Sequence, residues 1–374
     1  MTSVAFHVDQ LFYQAPGGIG TYIRRLVPAM SARDPSLELK LFHARFPEAS
    51  SERWVRAYWM EELPHGIRLL YPRWNLSGRP ALPRALSSLD LLHAPSPASV
   101  PPAGSNQKLI VTVHDLAFLV APQYFPRDWR AMFRLGLRAA VRRADAVLTP
   151  SRNTAEDLLT RTRIDPAKVF VVPLAAASAP SEADPSQVLS RLKVHPPYLL
   201  FVGTLEPRKN LVRLIRAYRR AAAAGVPHSL VLAGPLGWRH QQLHRELALR
   251  GPGEVVLTGG LPDDELDALY RGAAGFVYPA LYEGFGLPVL EAMSRGVPVI
   301  TSTTSSLPEV AGEAALGVDP GSVRELASAI EALATDRALA EKLAKRGLAR
   351  AERFSWDETA RQTLDVYEKV LEAK

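Results

Sequence analysis

The stretch GFVYPALYEGFGLPVLEAM, from Gly275 to Met293, contains a short apolar strand, a loop and the start of a helix. Gly275–Tyr278 is the predicted strand. Pro288 suits the first turn of the helix, because its missing N–H would have no partner there and its φ is already fixed. The N–H groups and the macrodipole at such a helix start favour an anion. The stretch therefore predicts a strand–loop–helix unit with an anion site at the start of the helix.

Short apolar runs alternate with longer helical patterns in both halves of the chain, which is typical of parallel sheets covered by helices. The sequence therefore predicts an α/β fold. The predicted strands are Val4–Val8, Leu37–Phe42, Leu109–Val113, Ala146–Thr149 and Val169–Val172 in the first half, and Tyr198–Gly203, Ser229–Ala233, Val255–Leu257, Gly275–Tyr278 and Pro298–Thr301 in the second. The predicted helices include Ile19–Ala32, Asn210–Ala223 and a final helix, Trp356–Ala373, whose apolar face is Leu364, Tyr367 and Leu371.

The length of 374 residues suits two domains, because a single core stops growing at roughly 250 to 300 residues. We place one Rossmann-like domain at residues 1–178, a second at 195–355 and a final helical segment at 356–374. The segment Ala175–Pro197 is rich in Ala, Ser and Pro and is interpreted as the linker. Since open parallel sheets bind ligands at the carboxyl ends of their strands, we expect the site in a cleft between the two domains.

The composition is that of a globular protein, with 47% hydrophobic and 22% charged residues. The apolar runs are far shorter than the ~18 residues of a membrane span, so no transmembrane helix is expected. The N-terminus resembles a strand rather than a signal peptide. The chain contains no cysteine, which excludes disulfide scaffolds, thiolate zinc sites and cysteine nucleophiles. We expect a cytoplasmic protein.

The net charge of +7 is concentrated in the first half of the chain. Residues 1–178 hold 22 Lys and Arg against 14 Asp and Glu, whereas the remainder holds 23 against 24. An excess on one half indicates an anionic partner there, such as nucleic acid, a membrane surface or an acidic substrate. One predicted helix carries a basic stripe that either contacts anionic lipid or is simply solvated. The stripe consists of Arg127, Arg130, Arg134, Arg138 and Arg142.

Two acidic and two basic residues stand where a ligand would bind. Glu283 lies in the loop before the helix and Glu291 lies in the helix, and carboxylates accept hydrogen bonds from sugar and ribose hydroxyls. Alternatively, Glu291 is a helix-start acid and Glu283 a solvated loop residue. Arg208 and Lys209 follow one strand and precede a helix. The helix dipole disfavours cations at this end, so a ligand-binding role explains them better than an ordinary solvated pair. These four residues are the candidates for binding chemistry.

The paired glutamates with the intervening Gly-Phe-Gly-Leu-Pro resemble the motif of family 4 glycosyltransferases, which have the GT-B fold. The resemblance extends over nearly the whole chain. Four further stretches resemble the same family: Gly17–Gly20, Val113–Asp115, Val202–Asn210 and Phe354–Trp356. The resemblance implies two Rossmann-like domains that face each other across a cleft. It also implies that the first domain binds the acceptor, the second binds the nucleotide sugar, and the C-terminal helix crosses back to the first.

The resemblance also implies roles for individual residues. Arg208 and Lys209 would bind the diphosphate and lower the barrier as negative charge builds on it. Glu283 would contact the sugar hydroxyls and Glu291 the ribose. The other implied contacts are a donor loop at Gly17 and Gly18, a cleft residue at His114, the loop glycine Gly203, base contacts at Gly260 and Leu261, and backbone N–H groups from Phe285, Gly286 and Leu287. Thr204 stands where many relatives have an additional arginine, so the implied basic clamp lacks that arginine.

Two of these residue groups have equally plausible structural interpretations. The glycines Gly17 and Gly18 lack the spacing of a dinucleotide fingerprint and are also compatible with a tight turn. A histidine that follows an apolar strand, such as His114, is often structural. Asp263 and Asp264 resemble a metal-binding carboxylate pair, but we interpret them as N-capping acids of the helix that ends near Gly272, and we predict no metal site.

The resemblance implies a retaining glycosyltransferase that uses a nucleotide-diphosphate sugar as donor and needs neither metal nor cofactor. The motifs are most similar to bacterial mannosyl- or rhamnosyltransferases of polysaccharide assembly, so we expect GDP-mannose as donor. The acceptor would be a saccharide or a lipid-linked saccharide. The basic first domain would either present a solvated face or make peripheral contact with the inner face of a membrane. The alternatives are a UDP-sugar-dependent transferase, a sugar-nucleotide epimerase and an inactive scaffold. A nucleic-acid binder is disfavoured because no recognition motif accompanies the basic charge.

Overall fold

A computed structural model describes residues 2–13, 17–48, 50, 52–176 and 183–373. The chain forms two compact units, one comprising Met1–Leu174 and Ser355–Lys374 and the other Ala175–Phe354. Residues 177–182 of the predicted linker and residue 374 of the predicted final segment lie outside the described residues. No helix in the described ranges is long and apolar enough to cross a lipid bilayer.

The first unit is built on a parallel sheet. Its described strands are β1 Ser3–His7, β2 Glu38–His43, β3 Trp59–Glu62, β4 Leu91–Ala94, β5 Lys108–Thr112, β6 Ala146–Thr149 and β7 Val169–Val171. They pair in the order β3-β2-β1-β4-β5-β6-β7. The helices in this part of the chain are α1 Gly17–Arg33, α2 Ile67–Ser77, α3 Arg84–Ser87, α4 Ala117–Val120, α5 Arg127–Arg143 and α6 Arg152–Arg161.

The second unit is also built on a parallel sheet. Its described strands are β8 Tyr198–Val202, β9 Ser229–Ala233, β10 Val255–Gly259, β11 Gly275–Tyr278, β12 Val299–Ser302 and β13 Ala315–Val318, paired in the order β10-β9-β8-β11-β12-β13. Its helices are α7 Pro185–Leu192, α8 Leu211–Ala223, α9 Gln241–Ala248, α10 Asp263–Gly272, α11 Leu287–Ser294, α12 Leu307–Ala311, α13 Val323–Thr335 and α14 Arg337–Ala351.

The predicted α/β class with parallel sheets is confirmed. Every residue of β4, β8, β9, β11 and β12 is buried, as expected when helices cover both faces of a parallel sheet. The sequence analysis missed β3, β4 and β13. The edge strand β3 reads Trp-Met-Glu-Glu and is partly exposed, so it shows no apolar run. Strand β13 reads Ala-Leu-Gly-Val, an apolar run of only four residues that is partly exposed. In β4 the buried His93 interrupts the apolar pattern.

The predicted linker contains a helix. Asp184 caps α7 by accepting a hydrogen bond from the Ser186 N–H at 2.9 Å, and Pro185 occupies the first turn. Val188 and Leu189 are buried, and α7 packs against α10. The sequence analysis missed this helix because it interpreted Pro185 as a helix breaker. Pro is in fact well suited to the first turn of a helix.

The final helix, α15 Trp356–Glu372, begins at the N-cap Ser355 and packs against α1 of the first unit. This confirms the predicted return of the C-terminal helix. The buried face differs from the predicted one, since Leu364 and Leu371 are only half-buried. The described buried residues are Thr359, Ala360, Thr363, Val366, Tyr367 and Val370. The Tyr367 hydroxyl lies 2.5 Å from Nδ1 of His93, which ties α15 to β4.

Candidate active site

The sheet order of the second unit brings two loops together. Strands β8 and β11 are neighbours and run in parallel, so the loops that follow them leave the same edge of the sheet. The first loop carries Arg208 and Lys209, and the second carries Glu283. The predicted cations and the predicted loop carboxylate are therefore in direct contact, although 74 residues separate Lys209 from Glu283.

Lys209 and Glu283 form a buried ion pair. The two side chains are hydrogen-bonded and their residues are only 7% and 8% exposed. Lys209 Nζ also donates to the Tyr278 hydroxyl at 2.7 Å, and that hydroxyl donates to Glu283 Oε1 at 3.2 Å. An ammonium has three N–H donors, and within the described contacts Lys209 uses two of them. One donor thus remains for a ligand.

Arg208 completes the cluster from the other side of Glu283. Its Nη1 lies 3.3 Å from Glu283 Oε2 and donates to the Tyr282 carbonyl at 2.9 Å. Its Nε donates to Glu206 Oε1 at 3.0 Å, and its backbone N–H donates to the other oxygen of Glu206 at 2.8 Å. Two cations are thus balanced by two carboxylates. The sequence analysis did not identify Glu206, although an acid two residues before Arg208 is a recognisable cap of the short turn.

The cluster keeps Glu283 ionised. Burial alone would raise the pKa of Glu283, but the charges of Arg208 and Lys209, together with hydrogen bonds from Lys209 and Tyr278, hold that pKa below its ordinary value. Burial and the charge of Glu283 raise the pKa of Tyr278 well above its ordinary value. Tyr278 is therefore a neutral hydrogen-bond donor at physiological pH.

Hydrogen bonds to the backbone fix the two loops to each other. Asn210, with a φ of 64°, donates from its side chain to the carbonyls of Pro279 and Pro320 at 3.0 and 2.7 Å. The Leu281 N–H donates to the Arg208 carbonyl at 2.8 Å. Ser306 Oγ lies 2.9 Å from the carbonyl oxygens of both Glu283 and Phe285, which share its single O–H donor. The backbone near the charged cluster is therefore held from several directions.

Helix α11 begins next to Glu283. Its N-cap is Gly286, whose φ is 107°, and a Cβ there would lie 2.6 Å from a side-chain carbon of Leu307. Only glycine suits this position, because L side chains avoid this φ and the space is already filled. Leu287 and Pro288 follow in the first turn. The predicted contact residues Phe285, Gly286 and Leu287 therefore form the entry to a helix N-terminus.

The other predicted residues of this unit lie around the cluster. Gly203 follows β8, and a Cβ there would be 3.9 Å from Lys209 Cε. Glu291 lies in α11 and accepts a hydrogen bond from the Tyr270 hydroxyl at 3.0 Å. Gly260 and Leu261 follow β10, two strands away from β8, at the same edge of the sheet. The structure thus brings Arg208, Lys209 and Glu283 into contact and leaves the base-contact candidates separate.

The remaining predicted residues belong to the first unit. Gly17 and Gly18 open α1, and a Cβ on either would meet no atom within 4 Å. His114 follows β5, and its ring packs edge-on against Tyr22 with ring centroids 4.8 Å apart. Burial lowers the pKa of His114 to about 4, although a hydrogen bond to the Pro95 backbone acts in the opposite direction. Its Nε2 is buried and has no hydrogen-bond partner in the described part of the chain.

The interpretation of Asp263 and Asp264 as helix-start acids is confirmed, since both lie in the first turn of α10. They do not cap the helix as predicted, because the N-cap residue is Pro262 and no side-chain cap bond forms. Among the described residues, no group of three or more His, Asp and Glu side chains is arranged to hold a metal ion.

Comparison with known proteins gives matches to both units. Residues 16–177 match the family described as Glycosyltransferase Family 4, and residues 187–350 match Glycosyl transferases group 1. The O-antigen chain mannosyltransferase B of Escherichia coli is 32% identical, over 94% of this chain and 95% of that protein.

Two solved structures are similar along the whole chain. Sucrose-phosphate synthase of Thermosynechococcus elongatus is 21% identical with a TM-score of 0.77, and the alignment covers 100% of both chains. Anabaena HepE, in a complex with UDP-glucose, is 17% identical with a TM-score of 0.77 and covers 99% of this chain and 100% of its own. At these identities the likeness extends to the fold alone.

The buried ion pair predicts a large cost for Lys209→Met. The substitution leaves Glu283 buried with Arg208 as its remaining cation, so we expect the free energy of unfolding at pH 7 to fall by about 3 kcal/mol. Urea denaturation measures this change. The carboxylate has a lowered pKa, so its stabilising contribution is present above its ordinary pKa near 4.5 and is lost as the pH falls through the lowered folded-state value. The difference in the free energy of unfolding between wild type and Lys209→Met should therefore decrease below pH 4.5.

The matched control is Arg337→Ala, which removes an exposed ion pair with Glu341 and should leave the urea midpoint unchanged. Two results would contradict the assigned role of the buried pair: an equal loss of unfolding free energy in both variants, or a difference between wild type and Lys209→Met that does not change with pH.

Proposed function

The chain belongs to family 4 of the glycosyltransferases, with the GT-B fold, and is a retaining enzyme of the EC 2.4 class; from this premise we propose that it transfers mannose from GDP-mannose to a saccharide or lipid-linked saccharide. The observation that carries the proposal is the contact of Arg208 and Lys209 with Glu283, next to the start of α11. This arrangement supports the proposal, because a nucleotide-diphosphate sugar would be bound by two cations, a carboxylate and a helix N-terminus that lie together.

In the proposed reaction the bond between the sugar C1 and the diphosphate oxygen breaks, the acceptor hydroxyl oxygen bonds to C1, and the hydroxyl proton is released. Negative charge develops on the departing diphosphate. Arg208, Lys209 and the N–H groups at the start of α11 are positioned to stabilise that charge. Glu283, ionised and held by its partners, accepts hydrogen bonds from the sugar hydroxyls. These groups take the place of a metal ion, so the transfer is proposed to be metal-independent.

The nucleotide is proposed to extend from the charged cluster along the edge of the second sheet. Glu291 would accept a hydrogen bond from the ribose, and Gly260 and Leu261 would border the base. The mannosyltransferase name of the Escherichia coli relative supports mannose as the sugar. A UDP-sugar is the second candidate donor, because the similar Anabaena protein was solved with UDP-glucose.

His114 is proposed to act as a hydrogen-bond acceptor. Since its pKa is about 4, the ring is neutral at physiological pH. The nitrogen bonded to the Pro95 backbone carbonyl must carry the proton, which leaves Nε2 with a lone pair. A hydroxyl of the sugar or of the acceptor would donate to this nitrogen.

The first unit is proposed to contact anionic lipid through exposed residues of α5 and of α2, which packs against it. We call these exposed residues the basic face. Its exposed arginines are Arg68 and Arg73 on α2, Arg79 after it, and Arg127, Arg134, Arg138 and Arg142 on α5. Leu76 and Trp129 add exposed apolar side chains, 65% and 41% accessible. The predicted stripe residue Arg130 is half-buried. Arginines with interspersed apolar residues suit a membrane interface that holds a lipid-linked acceptor.

The assigned roles predict large losses of turnover. Glu283→Ala and Lys209→Ala should each lower kcat by about 100-fold or more, as the loss of transition-state contacts does. Turnover is measured with GDP-mannose and UDP-glucose on protein whose circular dichroism shows it folded, with Arg337→Ala as the control. Added EDTA should leave wild-type turnover intact. Near-normal turnover in either variant rejects that residue's role, and loss with EDTA that Mg²⁺ restores rejects metal independence.

The proposed donor predicts a selective stabilisation by guanine nucleotides. A ligand that binds only the folded state raises stability by RT ln(1 + [L]/Kd), or about 2.7 kcal/mol at a hundredfold excess over Kd. GDP and GDP-mannose should therefore raise the melting temperature, measured by thermal shift, while UDP and UDP-glucose should not. The reverse selectivity would mean that the guanine assignment is wrong and the transferase proposal stands; no shift with any of the four would count against the proposed function itself.

The basic face predicts binding to anionic membranes. Wild-type protein should sediment with phosphatidylglycerol vesicles at low salt and not with phosphatidylcholine vesicles. Replacing Arg134, Arg138 and Arg142 by Gln should weaken vesicle binding about 100-fold, since each basic residue near the surface contributes roughly 1 kcal/mol. The control replaces the exposed Lys342, Lys345 and Arg346 of α14 by Gln, which changes the net charge equally. If the two triple variants sediment with the vesicles to the same extent, the membrane proposal is wrong.

A further inference from the structure

A buried tyrosine lies against each of the two paired glutamates. Tyr278 ends β11, is fully buried, and has its ring stacked on Phe201 and Phe276 at centroid distances of 5.5 and 5.8 Å. Its hydroxyl accepts from Lys209 Nζ at 2.7 Å and donates to Glu283 Oε1 at 3.2 Å. A phenylalanine would fill the same aromatic stack, so packing alone does not account for the hydroxyl.

Tyr270 has the same relation to Glu291. It lies in α10, is 1% exposed, and its hydroxyl is 3.0 Å from Glu291 Oε2. The Arg295 guanidinium lies 5.1 Å from the centre of the Tyr270 ring. Arg295 also donates to Asp267 Oδ1 at 2.7 Å and to the Glu291 carbonyl at 3.0 Å. Arg295 thus contacts both the Tyr270 ring and the backbone of Glu291.

We propose that Tyr278 and Tyr270 are positioning residues, which hold the carboxylates of Glu283 and Glu291 in the orientations that bind the donor. This inference rests on the proposed roles of the two glutamates. Each hydroxyl acts through its carboxylate, since both rings are buried and their hydroxyls are already engaged. A hydrogen bond to a charged group stabilises one rotamer strongly enough to matter for binding, by about tenfold in an equilibrium constant.

The two tyrosines should have separable effects. Glu291 is proposed to contact the ribose, which is present in the nucleoside diphosphate and in the nucleotide sugar alike. Glu283 is proposed to contact the sugar and to fix Lys209 for the transition state, so its orientation matters for transfer. Loss of the Tyr270 hydroxyl should therefore weaken nucleotide binding, whereas loss of the Tyr278 hydroxyl should lower turnover.

The experiment compares Tyr270→Phe and Tyr278→Phe with wild type and with Tyr218→Phe. Tyr218 is a matched control, because it is a buried tyrosine of the same unit whose hydroxyl bonds the carbonyls of His228 and Glu254 at 2.9 Å each. Calorimetry measures binding of GDP and of UDP, and kinetics measure kcat and KM with GDP-mannose and UDP-glucose. Circular dichroism establishes that each variant is folded.

We expect Tyr270→Phe to weaken binding of whichever nucleotide the wild type binds and to raise KM about tenfold, with kcat within twofold. Tyr278→Phe should lower kcat about tenfold with nucleotide binding within twofold, and Tyr218→Phe should change neither. If both site variants behave like Tyr218→Phe, or if all three lose activity alike, the positioning roles are wrong. If the wild type binds neither nucleotide and transfers neither sugar, the proposed function is wrong and this inference falls with it. If the wild type is active but the site variants do not behave as expected, only the inference is wrong.

Discussion

The candidate site depends on one buried contact, the ion pair between Lys209 and Glu283. The two residues lie on different loops, and they meet because β8 and β11 are adjacent parallel strands. Taking both charges out of water is costly, and the cost is offset only where geometry and additional hydrogen bonds are good. Arg208 and Tyr278 supply those bonds. The cations beside it also keep the Glu283 carboxylate ionised.

The same requirement explains the charge balance of the cluster. Without ligand, the cations Arg208 and Lys209 are matched by the carboxylates of Glu206 and Glu283, so the buried site carries no net charge. A diphosphate would add negative charge and must then be received by the spare donor of Lys209 and by the backbone at the helix start.

Buried polar networks recur in the first unit. His93 lies between the Tyr367 hydroxyl of α15 and the Thr112 hydroxyl of β5, at 2.5 and 2.8 Å. The Thr112 hydroxyl lies 3.0 Å from that of Tyr22 on α1, whose ring contacts His114. Burial lowers the pKa of His93 to about 3, so the network is held by a neutral imidazole. The C-terminal helix is therefore connected by consecutive contacts to the histidine that is a candidate site residue.

The sequence by itself determined the α/β class, most of the strands, and the identity of Arg208, Lys209, Glu283 and Glu291 as candidates, while the family resemblance implied the return of the final helix. Apolar periodicity and residues such as Pro288 act locally, and local patterns can be read along the chain. Strands β3, β4 and β13, helix α7 and the network partners Glu206, Tyr270 and Tyr278 were decided by tertiary structure. These residues are identified only by their neighbours in space. A tyrosine that supports a carboxylate is indistinguishable in sequence from one that only fills a core, because the packing of strands and helices determines which hydroxyl meets which charge.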